Sequence, residues 1–171
     1  GHSAHLVVRD GREVVFVAKV PGRNAMFHSI QVGARLPAHA TVLGRILLGD
    51  LSPSELAALY QDRSLSAYTA MTPTTLAELS ARVTEDRARG YAVSMGGYET
   101  GISSIAAPVL NAQGRVVAAV SISMPHERID EPQLAPLVEA VCAAARQMNE
   151  RLRHLPERGQ WPARNPQRKA A

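Results

Sequence analysis

The sequence predicts an α+β domain: a largely antiparallel sheet with helices packed on it. Three observations carry that prediction. A hairpin pattern opens the chain, a second hairpin pattern stands well past its middle, and helical patterns fill the interval and follow the second hairpin. In the first hairpin, His5–Arg9 and Val14–Lys19 are rich in valine and Asp10-Gly11 lies between them, a dipeptide suited to a tight turn. Pro21-Gly22 breaks the second arm. Met26–Val32 reads as a third strand ending near Gly33. Pro37 can open a helix that Ala38–Leu48 continues and Gly49 stops. Ser52-Pro53-Ser54-Glu55 is a capping box, with proline at the first helical position, for a helix running to about Gln61. A further helix is expected from Thr72-Pro73 to Gly90, with Leu76, Leu79 and Val83 on its apolar face, and Tyr91–Val93 is a short strand. Ile102–Leu110 and Arg115–Met124 flank Asn111-Ala112-Gln113-Gly114; both arms are long and apolar, which places them at the centre of the sheet. Asp130, with Gln133 three positions on, caps a last helix striped by Leu134, Leu137, Val138, Val141, Ala145, Met148 and Leu152. The expected order is β-β-β-α-α-α-β-β-β-α.

A chain of 171 residues is long enough to bury roughly 70% of its unfolded surface without disulfides or metal. With 46% apolar but only 4% aromatic residues, its core must be aliphatic. The single cysteine, Cys142, excludes an internal disulfide and a cysteine-based metal site. No apolar run reaches the ~18 residues of a membrane span, so no membrane partner is expected. The formal charge of +4 is unevenly placed. From Arg151 onward there are six Lys or Arg and one Glu, which leaves residues 1–150 with 13 basic and 14 acidic groups. A near-neutral domain over 3–154 is therefore expected, preceded by a tag-like Gly1-His2 and followed by a basic, disordered tail over 155–171.

Enzyme chemistry finds little support, and no enzymatic activity is expected. Ser103, Ser104, Ser121 and Ser123 could be nucleophiles only beside a base with its own orienting group, and no G-x-S-x-G elbow exists. His28, His39 and His126 are scattered, without metal-ligand spacing. The glycines at Gly90 and Gly96-Gly97 do not make a dinucleotide or P-loop fingerprint, so no cofactor is expected. Ser121-Ile122-Ser123 is more informative. Period two puts both hydroxyls on one face of a strand, and Ser104 lies on the opposing arm. Small hydroxyls among Ile and Val suit an apolar pocket that orients a polar ligand group such as a carboxylate. They equally suit core serines bonded locally.

Three stretches resemble the effector-binding domain of IclR-family transcription regulators. Gly33-Ala34-Arg35-Leu36-Pro37, continuing through Thr41 and Gly44-Arg45 to Leu48, is similar to the family's G-x-x-L-P segment. Arg89-Gly90-Tyr91 and Gly101-Ile102-Ser103-Ser104-Ile105-Ala106-Ala107-Pro108-Val109 resemble its next two strands, and Val116–Ser123 resembles its closing strand. The likeness covers about residues 3–153. It implies a GAF-like fold with a curved antiparallel sheet of about six strands, a metabolite pocket on one face, and dimers or tetramers in the cytoplasm. It implies a sensor of a small organic acid, leaning toward the aromatic-acid regulators, that reaches DNA only through an N-terminal winged helix absent from this chain. The alternatives are a small hydrolase and a ligand-free GAF-type dimerisation module. Carried over by position, the implied pocket lining is Ala25, His28, Leu36, Val42, Leu43, Ser94, Ile102, Ser104, Ser121 and Ser123. The N-terminus of the Pro37 helix would also favour an anion. Two departures stand out. Ser94-Met95-Gly96-Gly97 replaces the acidic residues many relatives carry there, and Val42-Leu43 is bulkier than usual, implying a smaller or more apolar pocket.

Overall fold

The computed structural model describes residues 2–22, 30–61, 64–125 and 131–154, without the side chains of 131–133. Its elements run β1 (Ser3–Asp10), β2 (Glu13–Val20), β3 (Arg35–Pro37), α1 (Val42–Leu48), α2 (Pro53–Tyr60), α3 (Leu76–Arg89), β4 (Ala92–Met95), β5 (Ile102–Leu110), β6 (Val116–Pro125) and α4 (Glu131–Arg153). The six strands form one curled antiparallel sheet in the order β3-β2-β1-β6-β5-β4. This is the expected α+β architecture. The two expected hairpins are β1-β2 and β5-β6, and the N-terminal strand bridges them by pairing with β6.

Alternation along the strands sorts the core into two layers. Val7, Val14, Phe16, Ala92, Ala106 and Ala119 point to one face, where α1, α2 and α3 cover them through Leu43, Leu47, Leu48, Leu56, Leu79 and Val83. Ile105, Ala107, Val109, Ala118, Val120 and Met124 point to the other, where α4 lays down Val141 and Ala145 with Leu134, Leu137, Val138, Met148 and Leu152 beside them. The predicted stripe of the last helix is thus its packing face. Each Leu or Ile buried as fully as Leu48, Leu79 and Ile105 contributes about 1.5–3 kcal/mol.

Several boundaries differ from the sequence reading. The expected third strand, Met26–Val32, lies in part outside the described residues (26–29); Ile30–Val32 is irregular, and the strand that pairs with β2 is Arg35–Pro37. Gly33, at φ 91°, turns the chain so that Phe16 on β2 bonds Gly33 and Ala34 through its carbonyl and amide. Those bonds set the register of the strand that follows. Pro37 consequently ends a strand rather than opening a helix. The helix waits for Thr41, whose hydroxyl accepts from the Gly44 amide at 3.1 Å. The capping box at Ser52 stands as predicted. The third helix starts at Leu76 rather than near Thr72-Pro73, because Thr75 and Glu78 make the reciprocal capping box. Gly90, at φ 77°, closes that helix. The short strand after it is Ala92–Met95, one to two residues later than expected. Asp130, expected to cap the last helix, and the tail 155–171 lie outside the described residues.

Asp50 ties the end of α1 to β6. Burial alone would raise its carboxyl, but hydrogen bonds from Nε and Nη2 of Arg115, the shortest at 2.7 Å, and one from the Val116 amide at 3.0 Å outweigh that and hold it below the ordinary value. A depressed carboxyl stabilises the fold above its unfolded value of about 3.9 and loses that contribution as pH falls through the lower folded value. Asp50→Asn is therefore expected to lower stability at neutral pH and to flatten the acid limb below about pH 4. Urea midpoints measured from neutral pH down to about pH 2 check this; parallel curves for the two proteins would contradict it.

Candidate functional site

Strand register builds the site. Ser94 on β4, Ser104 on β5, Ser123 on β6 and Ser3 on β1 are direct cross-strand partners, a row of four serines across four adjacent strands. One step deeper the row reads Ala92, Ala106, Ser121 and His5. Deeper again it reads Pro108, Ala119, Val7 and Phe16. The face thus grades from hydroxyl to hydrocarbon toward the body of α1. Helix α1 stands over it and turns Val42 and Leu43 toward the serine row. The helix can come this close because Gly44 has no side chain: a Cβ there would sit 2.1 Å from the carbonyl oxygen of Ala38.

Between the serines and α1 lies a cavity of about 70 Å³, opening into a wider cleft. Leu36, Val42, Leu43 and Ile102 supply apolar wall; Ser94, Ser104 and Ser123 supply hydroxyls. The Oγ atoms of Ser104 and Ser123 lie 2.9 Å apart and bond one another. Ser94 accepts from the Gly97 amide at 3.1 Å, which folds the β4-β5 turn over the cleft. A Cβ at Gly97 would meet the Ser94 hydroxyl at 2.4 Å, so this turn depends on glycine there. Thr69 and Thr72 hold the same turn from outside, donating to the carbonyls of Gly96 and Gly97 at 2.6 and 2.7 Å. Tyr68 packs against Tyr98 with the rings tilted by 41° and their centres 4.9 Å apart. Burial raises the Tyr98 phenol, and Tyr68 and the neighbouring Glu99 carboxylate add to the effect.

Seven of the ten sequence-derived residues line this cavity: Leu36, Val42, Leu43, Ser94, Ile102, Ser104 and Ser123. Ala25 and His28 lie outside the described residues. Ser121 shares the face but is not a wall of the cavity. It is wholly buried beside its register partner His5, and its hydroxyl has no hydrogen-bond partner among the described residues. The start of α1 lies at the cavity through Val42, not at Pro37. The walls that sequence reasoning left out are His5, Phe16, Ile30, Ala40, Gly97, Tyr98 and Glu99, and Thr41, there only a position in the segment that resembles the family's, joins them. His5 and Phe16 were traceable, since period two puts His5 on the face of Val7; the rings meet edge-on at 5.5 Å. Tyr98 and Glu99 sit in a turn with no periodicity to read. Glu99 also supplies a carboxylate to the corner that Ser94-Met95-Gly96-Gly97 had implied was without one.

Among the described residues, no group of three or more His, Cys, Asp or Glu could hold a metal ion. The hydroxyls of Ser104 and Ser123 bond each other, an arrangement that suits a polar ligand seat. Chemically the site can accept a small molecule with one polar end and an aliphatic body.

Comparison with known proteins gives a consistent result. The model of the family described as "Bacterial transcriptional regulator IclR C-terminal" matches residues 1–150. The chain is similar to the HTH-type transcriptional regulator XynR of Escherichia coli (strain K12), with 38% identity over 138 residues, 79% of this chain and 54% of that protein. It spans about half the length of the curated relatives it matches. Among solved structures it resembles a transcriptional regulator from Rhodococcus sp. RHA1, with a TM-score of 0.84, 36% identity, and coverage of 89% of this chain and 62% of that one. It also resembles an IclR homologue from Microbacterium hydrocarbonoxydans complexed with 4-hydroxybenzoate, with a TM-score of 0.78, 26% identity, and coverage of 89% and 61%.

Proposed function

The chain belongs to the IclR C-terminal family of bacterial transcriptional regulators, and from that premise we propose that it is the ligand-sensing domain of such a regulator, with the serine cleft as its effector site. The observation that carries this reading is the cavity itself: hydroxyls of three adjacent strands on one side, an aliphatic helix on the other. A small organic acid fits that chemistry. Its carboxylate would take the hydrogen bonds that Ser104 and Ser123 now exchange, and its carbon body would meet Val42, Leu43 and Ile102. The 4-hydroxybenzoate complex of the Microbacterium homologue supports an acid as the ligand class. Ala25 and His28 stay in the proposed site through the family resemblance alone, and Ser121 as a layer beneath His5. We read the domain as non-catalytic and self-associating, as a dimer or tetramer. The regulator would work in the cytoplasm and reach DNA through a winged helix N-terminal to the matched region. No helix among the described residues is long and apolar enough to cross a membrane.

Thermal-shift screening against small carboxylic acids tests the proposal, followed by isothermal titration of the best binder. Ser123→Ala removes a hydroxyl without adding volume to the cavity. It is expected to weaken binding roughly 10- to 150-fold, the worth of a hydrogen bond to a charged group. Leu43→Trp should abolish binding by volume, whatever the ligand's chemistry. Unchanged affinity in both variants would place the effector elsewhere.

A further inference from the structure

The cleft is electrically polar along its length. At one end stands His5 on β1, buried and wedged against Phe16. Its strand neighbour is Ser121, so Ser123, two residues on, is its diagonal neighbour on the same face. Behind His5, its register partner on β2 is Lys19, whose Nζ donates to the carbonyl of Ile30 at 2.8 Å; Ile30 forms part of the wall. At the other end Glu99, in the turn after β4, faces the same cavity. Among the described residues neither Lys19 nor Glu99 has a salt-bridge partner, although seven ion pairs form elsewhere. The serine row therefore has the Glu99 carboxylate in its wall at one end and, behind the wall at the other, the Lys19 ammonium bonded to Ile30. The cavity proper, which opens into the wider cleft, is also small. Its volume of about 70 Å³ is less than half of the ~150 Å³ that admits a benzene ring in an apolar protein cavity.

Resting on the reading of this cleft as a small-acid site, we infer that its effector is an aliphatic acid carrying a second, hydrogen-bond-donating group, a hydroxyl or an ammonium, on its chain. The carboxylate lies toward His5, Ser123 and the positive charge of Lys19. The second group lies toward Ser94 and Glu99. A carboxylate at the Glu99 end is repelled, so dicarboxylates are rejected. A bare hydrocarbon end forgoes the hydrogen bond that a donor would make to the Glu99 carboxylate, so unsubstituted acids bind more weakly. Val42 and Leu43 exclude aromatic rings, which separates this chain from the aromatic-acid preference its motifs leaned toward.

The test is isothermal titration of the whole chain with propanoate, lactate, 3-hydroxypropanoate, alanine, β-alanine, malonate and benzoate. At least one hydroxy or amino acid is expected to bind roughly tenfold or more tightly than propanoate, with malonate and benzoate weaker still. The hydroxy and amino arms distinguish which donor the site takes. Glu99 is exposed, so Glu99→Gln should leave the unliganded melting temperature unchanged. That variant should erase the advantage over propanoate and strengthen malonate. Lys19→Met should weaken all acids alike and reduce their salt dependence. Propanoate binding as well as its substituted relatives, or benzoate or malonate binding best, overturns the inference and leaves the small-acid reading standing. Failure of every acid to bind overturns both.

Discussion

Replacing Gly44 by alanine is expected to cost about 3 kcal/mol or more of stability, a large share of the roughly 5–15 kcal/mol that holds a typical domain folded. Two effects oppose each other at this position. Alanine is the better helix former by about 1 kcal/mol, and Gly44 lies within α1 with no positive φ to defend. Against that, the added Cβ would stand 2.1, 2.3 and 2.5 Å from the carbonyl oxygen, Cα and carbonyl carbon of Ala38. These are backbone atoms, and Ala38 is itself fully buried with its amide bonded to Arg12. No side-chain rotation relieves the clash, so α1 has to move away from the segment before it. Sterics win over propensity. Because Val42 and Leu43 ride on the same helix, any folded remainder should also bind effector poorly. Urea unfolding with a ligand titration on the soluble fraction reads both. A Gly44→Ala protein as stable as the parent would show that the close approach is dispensable.

The second large effect is expected at the buried ion pair between α1 and α3. Arg45 is 4% exposed and Asp86 1%. Arg45 Nε donates to Asp86 Oδ2 at 2.7 Å, Arg45 Nη2 to the Val93 carbonyl at 2.9 Å, and Arg89 Nη2 to Asp86 Oδ1 at 2.8 Å. Removing one partner strands the other. Asp86→Ala leaves the Arg45 guanidinium buried without its counter-charge and should cost about 3–5 kcal/mol. At about 2–4 °C per kcal/mol for a chain of this size, the melting temperature should fall by about 6–20 °C. The double variant Arg45→Met with Asp86→Leu removes both charges and should recover most of the loss, since desolvation offsets much of the pair's attraction. Calorimetry of the three proteins decides it; a loss under about 1 kcal/mol for Asp86→Ala would mean that water reaches the pair. The same network joins the helix roofing the cleft to Val93, the neighbour of Ser94. Its loss should therefore loosen effector affinity as well as the fold.

What the amino-acid order determined alone was whatever depends on short-range periodicity. The valine alternation around Asp10-Gly11, the Ser52–Glu55 capping box and the stripe from Leu134 to Leu152 each carry their own structure, and all three are present in the fold. The same period-two rule put Ser121 and Ser123 on one face with Ser104 opposite. Tertiary structure decided everything that depends on which segment a residue is paired with. Pro37 and Thr72 are adequate helix starters in isolation. One ends a strand because β2 offers it a ladder, and the other pins the turn at Gly97 with its hydroxyl. Ser121 and Ser123 are indistinguishable along the chain. Only the placement of His5 across from Ser121 buries one and leaves the other at the cavity. Glu99 and Lys19, about 80 residues apart, acquire a shared role only when six strands curl into one sheet. Periodicity is a property of neighbours in sequence, whereas a binding site is made of neighbours in space, and strand register is the step that converts the first into the second.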